Sequence, residues 1–101
     1  MLMDKRIKEE FVDFIKDTIY SVKEFESYHF LKTRRSGKNN FIEFHVVFKD
    51  KEITLKRAHK ISDDVEMKII KHIPHAHVII HLDYFDDSKT KTNPKVIEES
   101  I

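Results

Sequence analysis

The spacing of apolar residues alternates between two periods along this chain, and the order of those periods is what most limits the folds open to it. Between Asp4 and Val22, Ile7, Phe11, Phe14, Ile15, Ile19 and Val22 recur as one stripe of an amphipathic helix. Phe25 to Arg34 reads as a strand, Arg35 to Asn40 as a hairpin loop, and Phe41 to Phe48 as a second strand. Gly37 is the only glycine in the chain, and a positive-φ turn position is its expected use. Lys49 to Glu52 turns the chain, and Thr54 is placed to cap a second helix that ends before Pro74. Leu55, Ala58, Ser62, Val65 and Ile69 make its inner stripe, and Ala76 to Tyr84 reads as a third strand. The order α-β-β-α-β predicts an α/β (α+β) open sandwich, a three-stranded sheet with two helices on one face. Residues 1–85 form the expected domain, and the polar segment 86–101 reads as a disordered tail.

With 101 residues, 40% of them hydrophobic and eight of them Phe, one domain with a modest core is expected. No apolar run approaches the roughly 20 residues of a membrane helix. Met1-Leu2-Met3 runs directly into Asp4-Lys5-Arg6, which is not a secretory leader. The absence of cysteine excludes disulfides and fits a reducing compartment. Nineteen basic residues against eighteen acidic ones leave a formal charge of +1, so no nucleic-acid partner is expected. The basic group Lys32, Arg34, Arg35 and Lys38 has no interleaved aromatic rows of the kind that stack bases. No nucleophile–base pair is evident, and an enzyme is not expected.

Seven histidines without a cysteine is the unusual feature of the composition. Imidazole and carboxylate donors suit zinc and its first-row neighbours, and the usual thiolate-bound structural zinc site is ruled out. Side chains on a strand point alternately to opposite faces. In the second strand Ile42, Phe44, Val46 and Phe48 form the apolar set, leaving Phe41, Glu43, His45 and Val47 opposite. In the third, Val78, Ile80 and Leu82 face the helices, leaving His77, Ile79, His81 and Asp83 opposite. In the first, Tyr28 and Phe30 join the core, with His29, Leu31 and Thr33 on the other side. His29, His45, His81 and Asp83 are thereby expected to share the helix-free face. Spacing alone leaves them either as converging metal ligands or as an ordinary polar surface. His59 and Asp63 are spaced as a helix-surface pair. His72, His75 and His77, around Pro74, read as solvated helix-end and loop residues.

The phrases Leu31-Lys32-Thr33-Arg34-Arg35-Ser36-Gly37, Phe41-Ile42-Glu43-Phe44-His45, Ala58-His59 with Asp63 and Glu66, and Ile73-Pro74 followed by Val78-Ile79-Ile80-His81 occur in a telling order. Together they resemble the cytoplasmic C-terminal domain of the cation diffusion facilitator, or cation efflux, family. The likeness covers about Leu2 to Asp83, and Leu2-Met3-Asp4 looks like the segment leaving the last transmembrane helix of such transporters. The resemblance implies a ferredoxin-like, metallochaperone-like fold, a homodimer, and the transmembrane domain of a parent transporter as partner. It also implies a place at the cytoplasmic face of the membrane and a role in modulating metal/proton antiport. The metal set it implies is His29, His45, His59, His81 and Asp83, with His59 facing the partner protomer and Asp83 able to bridge two ions. Zinc or a related divalent cation is the implied ion. Where the family carries a proline soon after the last acidic ligand, this chain reads Tyr84-Phe85-Asp86-Asp87, so the exit from the third strand is open. Two other functions fit the same residues: a soluble metal carrier or buffer, and a purely structural dimerisation module.

Overall fold

The computed structural model describes residues 6–83 and the backbone of 98–100. Helix α1 (Glu9–Tyr20) leads into strands β1 (Phe25–Ser36) and β2 (Asn39–Phe48), then helix α2 (Leu55–His72), strand β3 (Ala76–Asp83) and the short strand β4 (Glu98–Ser100). The sheet order is β3-β2-β1-β4, with β1 antiparallel to β2 and both β2/β3 and β1/β4 parallel. The expected α-β-β-α-β core is present. Of the segment read as a tail, 86–97 and 101 lie outside the described residues, whereas Glu98–Ser100 pairs with Leu31–Thr33 as a fourth strand.

Both helices cover one face of the sheet. Ile15 and Ile19 of α1 and Ala58, Ile61, Val65 and Ile69 of α2 pack with Ile42, Phe44, Val46 and Phe48 of β2 in one buried cluster. Val78, Ile80 and Leu82 of β3 close its flank, as alternation predicts. The α2 stripe begins later than expected. Leu55, its first helical residue, is 71% exposed, and Ile61 is buried in the core. Thr54 caps α2 as its position suggested, its hydroxyl oxygen accepting from the Arg57 backbone N–H at 3.1 Å. The hairpin is tighter than expected, because the strands run on to Ser36 and Asn39 and leave only Gly37 and Lys38 in the turn. Gly37 has φ +60°, and a positive φ at the first central position is where two-residue hairpins place glycine.

Strand β1 departs from simple alternation. Its pairing steps from His29↔His45 to Lys32↔Glu43, so Phe30 and Leu31 together oppose Phe44. This is a β-bulge, and Phe30 sits in it with φ +56°. The extra residue reverses the parity of everything after it. Tyr28 is in the core and His29 is on the other face, as expected. Leu31 and Thr33, expected on the helix-free face, are instead buried on the core side, where Thr33 pairs with Ile42. Phe30, expected in the core, places its ring edge-on to His45 at 5.5 Å.

Asn40 joins the start of β2 to the start of β3. Its backbone N–H donates to the His75 carbonyl at 3.0 Å and its side-chain Nδ2 to the Pro74 carbonyl at 2.8 Å. The residue is buried, and its Oδ1 has no hydrogen-bond partner. Removing one hydrogen bond of this kind costs about 1 kcal/mol. Asn40→Ala is therefore expected to lower the urea midpoint by that order, and a raised midpoint would show that the orphaned Oδ1 outweighs the bond to Pro74.

Candidate metal centre

Because the three long strands are paired in register, their helix-free side chains fall into rows running across the sheet. The rows are Ser27–Val47–Asp83, His29–His45–His81, Lys32–Glu43–Ile79 and Arg34–Phe41–His77. Successive rows are about 6.6 Å apart along each strand, within reach of neighbouring long side chains.

In the histidine row, the His45 and His81 rings are stacked at 4.3 Å with an interplanar angle of 18°. Each ring is held by a carboxylate from an adjacent row. His45 Nδ1 lies 3.2 Å from both Asp83 oxygens, and His81 Nε2 lies 2.7 Å from Glu43 Oε2. An ionised carboxylate only accepts hydrogen bonds, so the imidazole N–H donates in both pairs. The other nitrogen of each neutral ring, Nε2 of His45 and Nδ1 of His81, then carries the lone pair. A carboxylate behind an imidazole is the arrangement that orients metal-binding histidines. Donor atoms of Glu43, His45 and His81 lie within 4.8 Å of one another, a spacing that one cation can draw together. All four side chains are part-exposed, from 29% for His45 to 41% for His81, so an ion can reach them from solvent.

Of the five side chains expected to converge, His45 and His81 come together with Glu43 on the helix-free face within one chain, and Asp83 joins them through its contact with His45. His29 occupies the same row but is buried, and its Nε2 shares a hydrogen bond with Ser27 Oγ at 3.0 Å. His59 is exposed on α2, across the sheet from the cluster. Glu43 belongs to the cluster although it was not chosen as a ligand. The signal was available, since Glu43 precedes His45 by two residues on the same strand face.

The other histidines have different surroundings. His72 stacks on Phe14 at 3.8 Å and meets the edge of Phe11, which closes the end of α2 against α1. His77 stacks on Phe41 at 4.8 Å and shares a hydrogen bond with Asn39 Oδ1. His75 is exposed at φ +49°. Among the described residues these three do not form a ligand group. Asp86 and Asp87 lie outside the described residues.

Residues 7–85 match the family described as the cytoplasmic domain of cation efflux proteins. Cation-efflux pumps named FieF from Pectobacterium carotovorum and Escherichia coli are each 35% identical over 82 residues, covering 81% of this chain. The chain spans 27% of the length of these curated relatives. The Zn form of CzrB is 29% identical with a TM-score of 0.63, covering 80% of this chain and 92% of that one. The metal-bound C-terminal domain of the CzcD transporter from Thermotoga maritima shares the fold at 22% identity, with a TM-score of 0.68 and coverage of 76% and 93%.

The carboxylate contacts specify opposite tautomers for the two stacked rings: Nδ1–H for His45 and Nε2–H for His81. Long-range proton–nitrogen NMR spectra of metal-free protein at neutral pH read this directly. Finding the same tautomer at both positions would mean that one of the two carboxylate contacts is not made in solution.

Proposed function

The chain belongs to the cation efflux protein family as that family's cytoplasmic domain, and from that premise we propose that it is the metal-binding, dimer-forming regulatory part of a divalent-cation efflux transporter. The observation that carries this reading is the convergence of Glu43, His45 and His81 on one helix-free sheet face, with Asp83 held against His45. Two imidazoles and a carboxylate, without thiolate, suit zinc or a first-row neighbour. The relatives' description as cation-efflux pumps and the Zn form of CzrB support the same class of ion. Among the described residues no helix is long and apolar enough to cross a membrane, so a transport pathway would belong to a parent transmembrane domain at whose cytoplasmic face this domain works.

Regulation by metal has a thermodynamic requirement. The ion must bind one arrangement of the protomers more tightly than another, and the difference in affinity sets how far the equilibrium can move. A homodimer supplies those arrangements. Its contact is proposed to include Ile79 on the helix-free face and Met67 and Ile70 on α2, which are 55%, 52% and 40% exposed. Val47, expected on the same face, is fully buried within the chain and contributes nothing outward. His59 reaches a metal only if it comes from a second copy, because α2 lies on the opposite side of the sheet from His45 and His81.

Two measurements test the proposal. Calorimetric zinc titration is expected to show loss of a tight site in His45→Ala, His81→Ala and Asp83→Ala, whereas His72→Ala and His75→Ala keep it. Equal losses at His75 and His81 would place the ion elsewhere. Sedimentation of metal-free protein is expected to show a dimer at micromolar concentration that tightens with zinc. A monomer under both conditions would overturn the dimeric reading, and a dimer indifferent to zinc would leave a structural module.

A further inference from the structure

We infer that Glu43 is a direct metal ligand, so that one chain holds the ion with two imidazoles and the Glu43 carboxylate and needs no side chain from a second copy. This rests on the reading of the His45–His81 row as a metal centre. The register places Glu43 on the same face as His45 and one row from His81. Its register partner across the hairpin is Lys32, yet its carboxylate turns to His81 at 2.7 Å. An ordinary surface glutamate opposite a lysine gains from pairing with it. Here the carboxylate instead joins the stacked imidazoles.

The contact with His81 is a proton-shared form of a metal site. If the His81 proton moves to Nδ1, the Nε2 lone pair and Glu43 Oε2 face each other across a gap that an ion can bridge. Donor distances to zinc of about 2.0–2.2 Å require these two atoms to separate only slightly from where they stand. A donor atom of His45 lies within 4.8 Å of donor atoms of both Glu43 and His81. Asp83, held against His45 Nδ1 at 3.2 Å, orients that ring from behind. Glu43 in the site and Asp83 behind His45 offset the charge of a divalent cation, and half-exposure of His81 and Glu43 leaves its path open. The class of ligand is zinc or a first-row divalent neighbour, which accept mixed nitrogen and oxygen donors. The competing role for Glu43 is outer-sphere, accepting the Nε2–H while His81 binds the ion through Nδ1.

The test uses the full chain, with zinc followed by calorimetry and cobalt(II) by its visible absorption bands. Glu43→Gln keeps the side-chain shape and an acceptor oxygen for His81 but is a poor ligand. It is expected to raise the zinc Kd by about 10–100-fold or more and to shift the cobalt bands. Glu43→His restores a donor atom and is expected to recover much of the lost zinc affinity. His59→Ala is expected to leave both the affinity and the cobalt spectrum unchanged. Melting curves of each variant confirm the fold. An unchanged Kd and spectrum in Glu43→Gln would overturn the inference, as would weaker binding with unchanged cobalt bands, the mark of an outer-sphere role. Loss of the ion in His59→Ala would overturn the single-chain site. Absence of binding by the unsubstituted protein would overturn the metal-centre reading itself, and that outcome is visible without any variant.

Discussion

The register in which β2 lies beside β3 is the constraint on which the helix-free face depends. The two strands are parallel, and a parallel neighbour can be reached only by a crossover connection. Helix α2, with 18 residues, returns the chain about 27 Å. That matches the roughly 26 Å of the eight-residue β3. The chain thus re-enters the sheet where β2 began, and Asn40 fastens it there through the Pro74 and His75 carbonyls. From that point, His45 must face His81 and Glu43 must lie one row away. A slip of one residue would turn His81 toward the helices and put Ile80 in water. The buried half of β3 therefore specifies the position of its polar half.

Much of this was legible because strands β2 and β3 alternate without interruption. Ile42, Phe44 and Val46 are so consistently apolar that the opposite face follows, and His45, His81 and Asp83 follow with it. The cap at Thr54 was legible because its hydroxyl acts locally. What could not be read was the bulge in β1. A positive φ is usually signalled by glycine or asparagine, and here it falls on Phe30, whose ring is retained against His45. Tertiary contact fixes that conformation, so Leu31 and Thr33 were assigned to the wrong face. His29 was assigned to the right face, but alternation says nothing of depth, and the residue is buried beside Ser27. Glu43 was also placed on the right face. Its contact with His81 depends on the register between β2 and β3, which alternation alone does not supply.

The two carboxylates are separated by the imidazole stack and each is bound to one ring. The arrangement satisfies the hydrogen-bonding groups that an ion would use. It also means that binding exchanges shared protons for coordinate bonds within a frame already set by the sheet. Such a frame limits the entropy lost on binding, because the ligands come from strands held in register by the core rather than from loops. Elsewhere, His75 is exposed in a loop, while His72 and His77 are engaged with aromatic rings.

The source of the last ligand decides how metal can influence a dimer. If His59 of a second copy were required, coordinate bonds would cross the contact, and the ion would hold two protomers together at short range whatever the salt concentration. If Glu43 completes the site within one chain, no bond crosses the contact. The effect on association must then come from neutralising Glu43 and Asp83 near the partner and from changes in the face that includes Ile79. Electrostatic relief between exposed charges is screened over about 8–10 Å at physiological ionic strength. Metal-driven tightening of such a dimer would therefore weaken as salt is raised, while a ligand shared across the contact would leave it nearly constant. The position of one carboxylate on β2 thus separates two physical mechanisms that would look alike in a measurement at a single salt concentration.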